Sequence, residues 1–499
     1  MKTTRRTFLK AATITSVGYM AVAGNAQEAS NSPNEKLGFA AVGIGGKGSS
    51  DCDNAARFGN PIAICDVDRS RLESKGKGER YQKSARYLDF REMLEKHEKE
   101  IDIVTISTPD HMHAAPTLMA MRMGKHVYTQ KPVTRTIYEA RKLAEVAKEK
   151  GVCTQMGNQG SALRGSRMAI AQLKAGVIGK VTAVYVWSNR PVWAQGPDRA
   201  WTMDRFVKDT NARIADKAEA EKLIIDKKNE IQRATENLDW KLWLGTAKFR
   251  EFWPGIYHSF QWRGWWDFGS RALGDMACHQ VTVPFDACGL KDPTWVRAKT
   301  TGHDFDSFPA SSIIEFEFPA NAERGKIPFW WYDRRGNKPP QEIFDPYKIE
   351  KVSDSGVLIE GEKGAFYSPD DYCQKYELRT KDGETLPPLE NLEVDYAEEK
   401  GGMDPENMWE LYRAIYAKDP KICRSNFIDR GGPLTETILL GNLAVWAAAQ
   451  GGPDGALGDW GEKIEWNAKD MVVTNLSSLK TPGVADLIKP AYTAGYKLD

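Results

Sequence analysis

After its first residues, this 499-residue sequence has no run approaching the ~18 apolar residues of a membrane-spanning helix, so the chain past the N-terminus is expected to be soluble. Cysteine is scarce and unpatterned. Seven are present, at 52, 65, 153, 278, 288, 373 and 423, an odd count with no Cys-x-x-Cys pair. That is no disulfide framework, and most read as small buried hydrophobes. Net charge is +1 with no basic block, so no long-range field draws the chain to nucleic acid. Solenoid-length repeats, low-complexity tracts and a Gly-x-Ser-x-Gly elbow are also missing, and no glycosidase carboxylate pair stands out.

What is present is a globular composition, 41% hydrophobic and 27% charged, on a chain too long for one core, so two or more domains are expected. "TRRTFLK" at 4–10, followed by a short, interrupted apolar run, reads as an export signal of the twin-arginine type, with periplasmic or exported localisation. Residues 1–26 are assigned to it and 27–36 to a linker. This route carries folded proteins, often with cofactor inside.

From Leu37 the pattern is strand–helix alternation. "LGFAAVGIGGKG" is a buried strand followed by Gly43, Gly45 and Gly48 in G-x-G-x-x-G spacing, with Gly46 between them. Glycines there permit a tight turn and close approach to a pyrophosphate at a helix N-terminus. Asp66 ends the next strand, "PIAICDVD", where a carboxylate accepts ribose hydroxyls and repels a 2′-phosphate. NAD is therefore favoured over NADP, although Arg69 is close by. Strands follow at 101–109, 126–132 and 152–159, with helices at 114–124 and 136–151. This predicts a doubly wound parallel (Rossmann) sheet over 37–157. Ligands of such sheets lie beyond the carboxyl ends of the strands, which here carry Thr108, Pro109, Asp110, His111, Gln130, Lys131 and Gln159, with His113 opening the next helix. The Asp110–His113 run fits no zinc pattern, and no metal is expected.

In the second half, 167–180 reads as a helix and 181–190 as a strand opening another sheet; further strands are expected at 312–319, 327–333 and 356–368, and helices within 404–450. Residues 205–236 read as a solvated helical insertion without chemistry, and 333–346 as a loop over one face. The densest aromatic stretch holds Tyr257, His258, Trp262, Arg263, Trp265 and Trp266, candidate substrate-pocket residues among neighbours that simply pack. It leads into "LGDMACHQ", where Asp275 and His279 are four apart and would share one face of an α-helix. Hydride removal from a secondary alcohol needs a base, an oxygen stabiliser and an orienting carboxylate; His279, Lys131 and Asp275 are of the right types.

"VGIGGKG", "CDVD", "ISTPDHMHAAPTLMAMRMGKHVYTQKP" and "GDMACH", in this order and spacing, resemble the Gfo/Idh/MocA oxidoreductases, the family of glucose–fructose oxidoreductase and inositol dehydrogenase. The resemblance implies a second α/β domain built on a large, open, mostly antiparallel sheet (158–450, with 451–499 packing on the domains), often used for homo-oligomers. It also implies a catalytic lysine at Lys131, an acid/base histidine at His279, and an aspartate at Asp275 that orients it or binds substrate. The family's Glu-Lys-Pro is Gln130-Lys131-Pro132 here, so its acid has become an amide. The implied function is an NAD(P)-dependent dehydrogenase acting on a sugar, glycoside or cyclitol, with tightly bound cofactor and no nucleic-acid or membrane partner. Two alternatives stand beside it: an NAD-dependent glycosidase working by transient oxidation and elimination, and a non-catalytic sugar-binding protein.

Overall fold

A computed structural model describes residues 36–322, 324–395, 401–493 and 495–498. The expected export signal and linker lie almost wholly outside the described residues. Six strands form a parallel sheet: β1 (Gly38–Val42), β2 (Asn60–Cys65), β3 (Ala85–Tyr87), β4 (Ile103–Ile106), β5 (His126–Gln130) and β6 (Thr154–Gly157), in the order β3-β2-β1-β4-β5-β6. β1, "GFAAV", is buried throughout, as a strand covered on both faces must be. The helix Ile137–Lys150 starts on a capping box, Thr136 with Glu139, and stops at Gly151, whose φ of 63° glycine adopts without strain. β3 and the helices Arg69–Gly76 and Phe90–Lys96 were not legible in the sequence: they are short and their apolar periodicity is weak.

The second sheet has nine strands: β7 (Val181–Ser188), β8 (Trp295–Thr300), β9 (Ser312–Phe318), β10 (Ile327–Asp333), β11 (Gly356–Gly361), β12 (Ala365–Ser368), β13 (Glu377–Arg379), β14 (Ile464–Asn467) and β15 (Val472–Val473). Their order is β13-β12-β11-β7-β10-β9-β8-β14-β15, antiparallel except for the parallel β7–β10 pair. β9 alternates buried and half-buried residues along its length, the signature of a sheet with unlike faces. Its inner face packs on the largely apolar and almost wholly buried helix Gly431–Ala447, which also contacts Ile137–Lys150. The outer face over β7, β10, β11 and β12 is covered by Phe344, Tyr347 and Ile349, so the loop expected over one face folds onto Tyr185, Trp187 and Tyr332.

Three expectations need adjusting. The run 356–368 is two strands, reversing at Glu362–Gly364. The insertion is two helices, Met203–Arg213 and Lys217–Asn237; Phe206, Ile231 and Ala234 pack on the aromatic cluster and most of the rest is exposed. Residues 451–499 do more than pack, because β14 and β15 extend the second sheet beyond β8. No helix among the described residues is long and apolar enough to cross a membrane.

Candidate active site

The loops leaving β1, β2, β4 and β5 converge on a cavity of about 710 Å³ that also touches the aromatic stretch and the segment around His279. Its floor is the glycine turn. Gly43 has φ of 79°, and a Cβ there would meet the Ser107 carbonyl oxygen at 2.7 Å. A Cβ on Gly48 would stand 2.0 Å from the Gly43 oxygen, so this glycine lets helix Lys47–Phe58 start against the turn. No side chain caps that helix, and its Gly48 and Ser49 N–H groups turn back onto the Gly45 and Gly46 oxygens at 3.0 and 3.1 Å, so the start of the helix is closed on the glycine turn itself. Gly43, Gly45 and Gly46 line the cavity, while Gly48 lies behind them, a packing residue instead of the contact expected.

Asp66 sits at the end of β2 with its carboxylate accepting the Ile44 and Asp68 N–H groups, each at 3.0 Å, while burial pushes its pKa up. Thr108, Pro109 and His113 line the cavity from the β4 loop. The ring of His113 reaches the Pro132 oxygen at 2.7 Å and the Thr108 oxygen at 2.8 Å, tying the β4 and β5 loops together, and burial lowers its pKa to about 4. His111 does not reach the cavity. It is wedged against Trp243 and Phe268 with Nε2 on the Trp243 oxygen at 3.0 Å, a core histidine and not a cofactor contact.

Gln130, Lys131 and Gln159 complete the expected set along the cavity. The amide at 130 has a physical reason. Gln130 Nε2 donates to Asp51 at 2.8 Å, and that buried carboxylate also accepts from Ser107 Oγ at 2.8 Å and Lys47 Nζ at 2.7 Å. A glutamate at 130 would set a second buried carboxylate against the first.

Lys131 Nζ donates to the Asp275 carboxylate at 2.9 Å and to its backbone oxygen at 2.6 Å, and Arg263 Nε donates to the same carboxylate oxygen at 3.2 Å. Although burial opposes its charge, these two cations hold the Asp275 carboxyl well below the usual carboxylate range. Asp275 therefore anchors Lys131 and makes no hydrogen bond to His279. The expectation that it orients the imidazole is corrected, because Lys131 and Arg263 already hold the carboxylate, which sits in a π-helical turn, Leu273–Ala277, just before His279. The preceding residue pair fixes that turn: buried Arg271 bonds Asp333 of β10 at 2.6 Å.

His279 is 8% exposed and lines the cavity with its ring edge on Tyr372, centroids 5.2 Å apart. Its Nδ1 is buried without a hydrogen-bond partner, which leaves Nε2 towards the cavity. Burial first, then the Lys131 charge, lower its pKa to about 3, so the imidazole is neutral at pH 7. Asp110 lines the same cavity, accepts from Ser270 Oγ at 2.8 Å, and is pushed by burial up to about 7.

Of the aromatic candidates, His258, Trp262 and Arg263 reach the cavity. Tyr257, Trp265 and Trp266 do not. Tyr257 and Trp265 are core partners with centroids 4.8 Å apart, and Trp266 packs on Phe308 at 4.0 Å. Their ring area is taken up in seating the aromatic stretch on the fold. Reading the sequence missed Lys47, which bridges Asp51 and Asp404, and the cavity residues Tyr372, Asp404 and Tyr496. Lys47 lies inside the glycine motif and could have been weighed. The other three come from more than two hundred residues downstream of that motif, with no local signal.

The NAD-binding Rossmann fold of the oxidoreductase family GFO_IDH_MocA matches residues 37–158, and that family's C-terminal alpha/beta domain matches residues 222–298. The fold is similar to that of the WlbA dehydrogenase from Bordetella pertussis, solved with NADH and UDP-GlcNAcA, at 13% identity, 87% of this chain, 99% of that one and a TM-score of 0.53. It is also similar to an inositol dehydrogenase homologue from Azotobacter vinelandii, solved with NADH and myo-inositol, at 14% identity, 87% and 98% coverage and a TM-score of 0.52. A glycosyl hydrolase family 109 protein from Solibacter usitatus is 30% identical over 199 residues, 36% of this chain and 44% of its own length. The chain spans only between 26% and 28% of the length of the first curated relatives it matches.

Two outcomes follow from this geometry. Gln130→Glu should destabilise the chain by about 2–4 kcal/mol at pH 8, recover part of that loss at pH 5, and be rescued by adding Asp51→Asn, all read by denaturant unfolding. Equal stability of Gln130→Glu and wild type would contradict the pairing. For Asp110, a folded pKa raised to about 7 means that ionisation works against folding. The penalty is absent below the unfolded value of ~4, grows as pH rises through that window, and is complete above it, at about 4 kcal/mol. Asp110→Asn should therefore raise Tm at pH 8, with the gain shrinking towards pH 4; a gain independent of pH would contradict a buried neutral carboxyl.

Proposed function

Because the chain belongs to the Gfo/Idh/MocA oxidoreductase family, we propose that it transfers hydride between tightly held NAD and a secondary hydroxyl or keto group of a sugar, glycoside or cyclitol. The observation that carries this reading is the convergence of Lys131 and His279 on one cavity with the glycine cradle. The cradle suits a dinucleotide: Gly43 and Gly48 have no room for a Cβ, the glycine turn and the first residue of helix Lys47–Phe58 line the cavity, and Asp66 stands at the ribose position. Bound NAD supplies the hydride acceptor or donor.

The chain's own residues supply the rest. The Lys131 ammonium, held by two bonds to Asp275, keeps a donor for the substrate oxygen as charge develops there. His279, neutral at pH 7, accepts the hydroxyl proton at Nε2 and returns it in the reverse direction. Burial and Lys131 both resist the imidazolium, so the proton stays there only in passing. Trp262 and Phe260 border the cavity with Arg263, a wall of the kind a sugar ring packs on. Export by the twin-arginine route, part of the same proposal, would require cofactor loaded before transport and recycled by a second sugar or carbonyl acceptor. A homo-oligomer is proposed with it, on the analogy of the family.

A second reading, cleavage of a glycosidic bond after transient oxidation, is supported by the family 109 match over 199 residues. The two separate on products. A dehydrogenase gives a keto-sugar with matching change in nicotinamide absorbance, whereas the glycosidase releases aglycone with none. For the preferred reading, His279→Ala should lower turnover on the best sugar substrate by about 10²–10⁴-fold, with NADH affinity within about twofold of wild type. Near-full activity in His279→Ala would remove the assignment.

A further inference from the structure

The family's matched domains end at residue 298, yet the chain beyond them returns to the dinucleotide cleft at its far end. Asp66 directly follows β2 and β3 lies one strand further out, so the cavity wall after β3, at Leu88, Asp89 and Phe90, is where the base attached to a ribose at Asp66 would lie. The fourth member of that wall is Tyr496, three residues before the last residue given, Asp499.

Tyr496 is not there by accident of a loose tail. The segment holding it is tied down along its length. The Trp446 indole donates to the Pro482 oxygen at 2.8 Å, and the Tyr138 N–H to the Ile488 oxygen at 3.0 Å. The Tyr492 hydroxyl donates to Glu139, the capping-box acid of helix Ile137–Lys150. Thr493 Oγ1 bonds the Ala247 oxygen at 2.6 Å, and the Arg122 guanidinium bonds the Leu498 oxygen. The Tyr496 ring then lies along Phe90, centroids 6.3 Å apart and 22° from parallel, with the Arg91 guanidinium 4.9 Å from its centre. So much ordering of a C-terminal segment costs conformational entropy, which these contacts must offset. Their common result is to hold one aromatic ring at the base end of the cleft.

We propose that residues 482–493 and 495–498 form a strap over the adenine end of the cleft, with Tyr496 contacting the base and setting how long the dinucleotide stays bound. The inference rests on the dinucleotide reading above and deepens it. Retention is then built into the fold by a part of the chain far from the glycine turn. NAD and NADP carry the same adenine and differ only at the ribose, so the strap serves both alike and leaves their discrimination to Asp66.

The test uses the full chain, with NADH as probe and reduced nicotinamide mononucleotide, which lacks the adenosine half, as control. Dissociation is followed by nicotinamide fluorescence for wild type, Tyr496→Ala, Tyr496→Leu and Tyr496→Phe. Tyr496→Ala should release NADH about ten- to a hundredfold faster, Tyr496→Leu faster by a smaller factor, and Tyr496→Phe at the wild-type rate, while the mononucleotide binds all four equally. Unchanged NADH release in both Tyr496→Ala and Tyr496→Leu overturns the strap, as does an equal loss of mononucleotide binding. A wild-type chain that binds neither NADH nor NADPH overturns the functional reading itself, and the strap with it.

Discussion

One carboxylate holding two cations organises the candidate site. Asp275 takes Lys131 from the end of β5 and Arg263 from the aromatic stretch just before it, so the strand end and a segment more than a hundred residues downstream are fastened at a single buried point. Removing any one partner would leave a charge in a poorly solvated place, which is far costlier than the intact cluster. The cluster also explains the site's protonation pattern. A fixed positive lysine beside the cavity joins burial in keeping His279 neutral, while the neighbouring carboxylate of Asp110 is buried deeply enough to be held near neutrality.

The rest of the fold serves to bring that point to the glycine cradle. Arg271 and Asp333, paired in the core, pin the π-helical turn to β10 of the second sheet. His113 ties the β4 and β5 loops, and Asp51 gathers Lys47, Ser107 and Gln130 under the cavity. The aromatic stretch is mostly structural: Tyr257, Trp265 and Phe268 pack on one another so that Trp262 and Arg263 stand at the cavity wall. Over the second sheet, Phe344 and Tyr347 cover the outer face around Trp187, so that part of the sheet is packed on both sides by this chain.

What could be read from the sequence was whatever is local. β1, its glycines, Asp66 at the end of β2 and the Lys131-Pro132 strand end are continuous signals, and Gly43, Gly45, Gly46, Asp66 and Lys131 lie at the cavity edge. The readings that failed depended on side-chain direction or on distant packing. The Asp275–His279 spacing suggested a bonded pair, but Lys131 and Arg263, one of them from a distant strand end, take the Asp275 carboxylate. His111 and His113 look equivalent in sequence, but one faces the core and the other the cavity. Trp262 and Trp266 differ in the same way. Tyr372, Asp404 and Tyr496 had no local signal at all, because the topology of the second sheet and the tail brings them back. The amide at 130 seemed to weaken the lysine motif until Asp51 supplied the carboxylate beside it.

The central claim is that the cavity holds a nicotinamide dinucleotide as a resident part of the protein. The most direct measurement is to purify the chain without added cofactor, denature it, and identify and quantify what is released by mass spectrometry. The account predicts close to one NAD(H) per chain. A protein that releases no dinucleotide and takes up neither NAD nor NADP afterwards would contradict it.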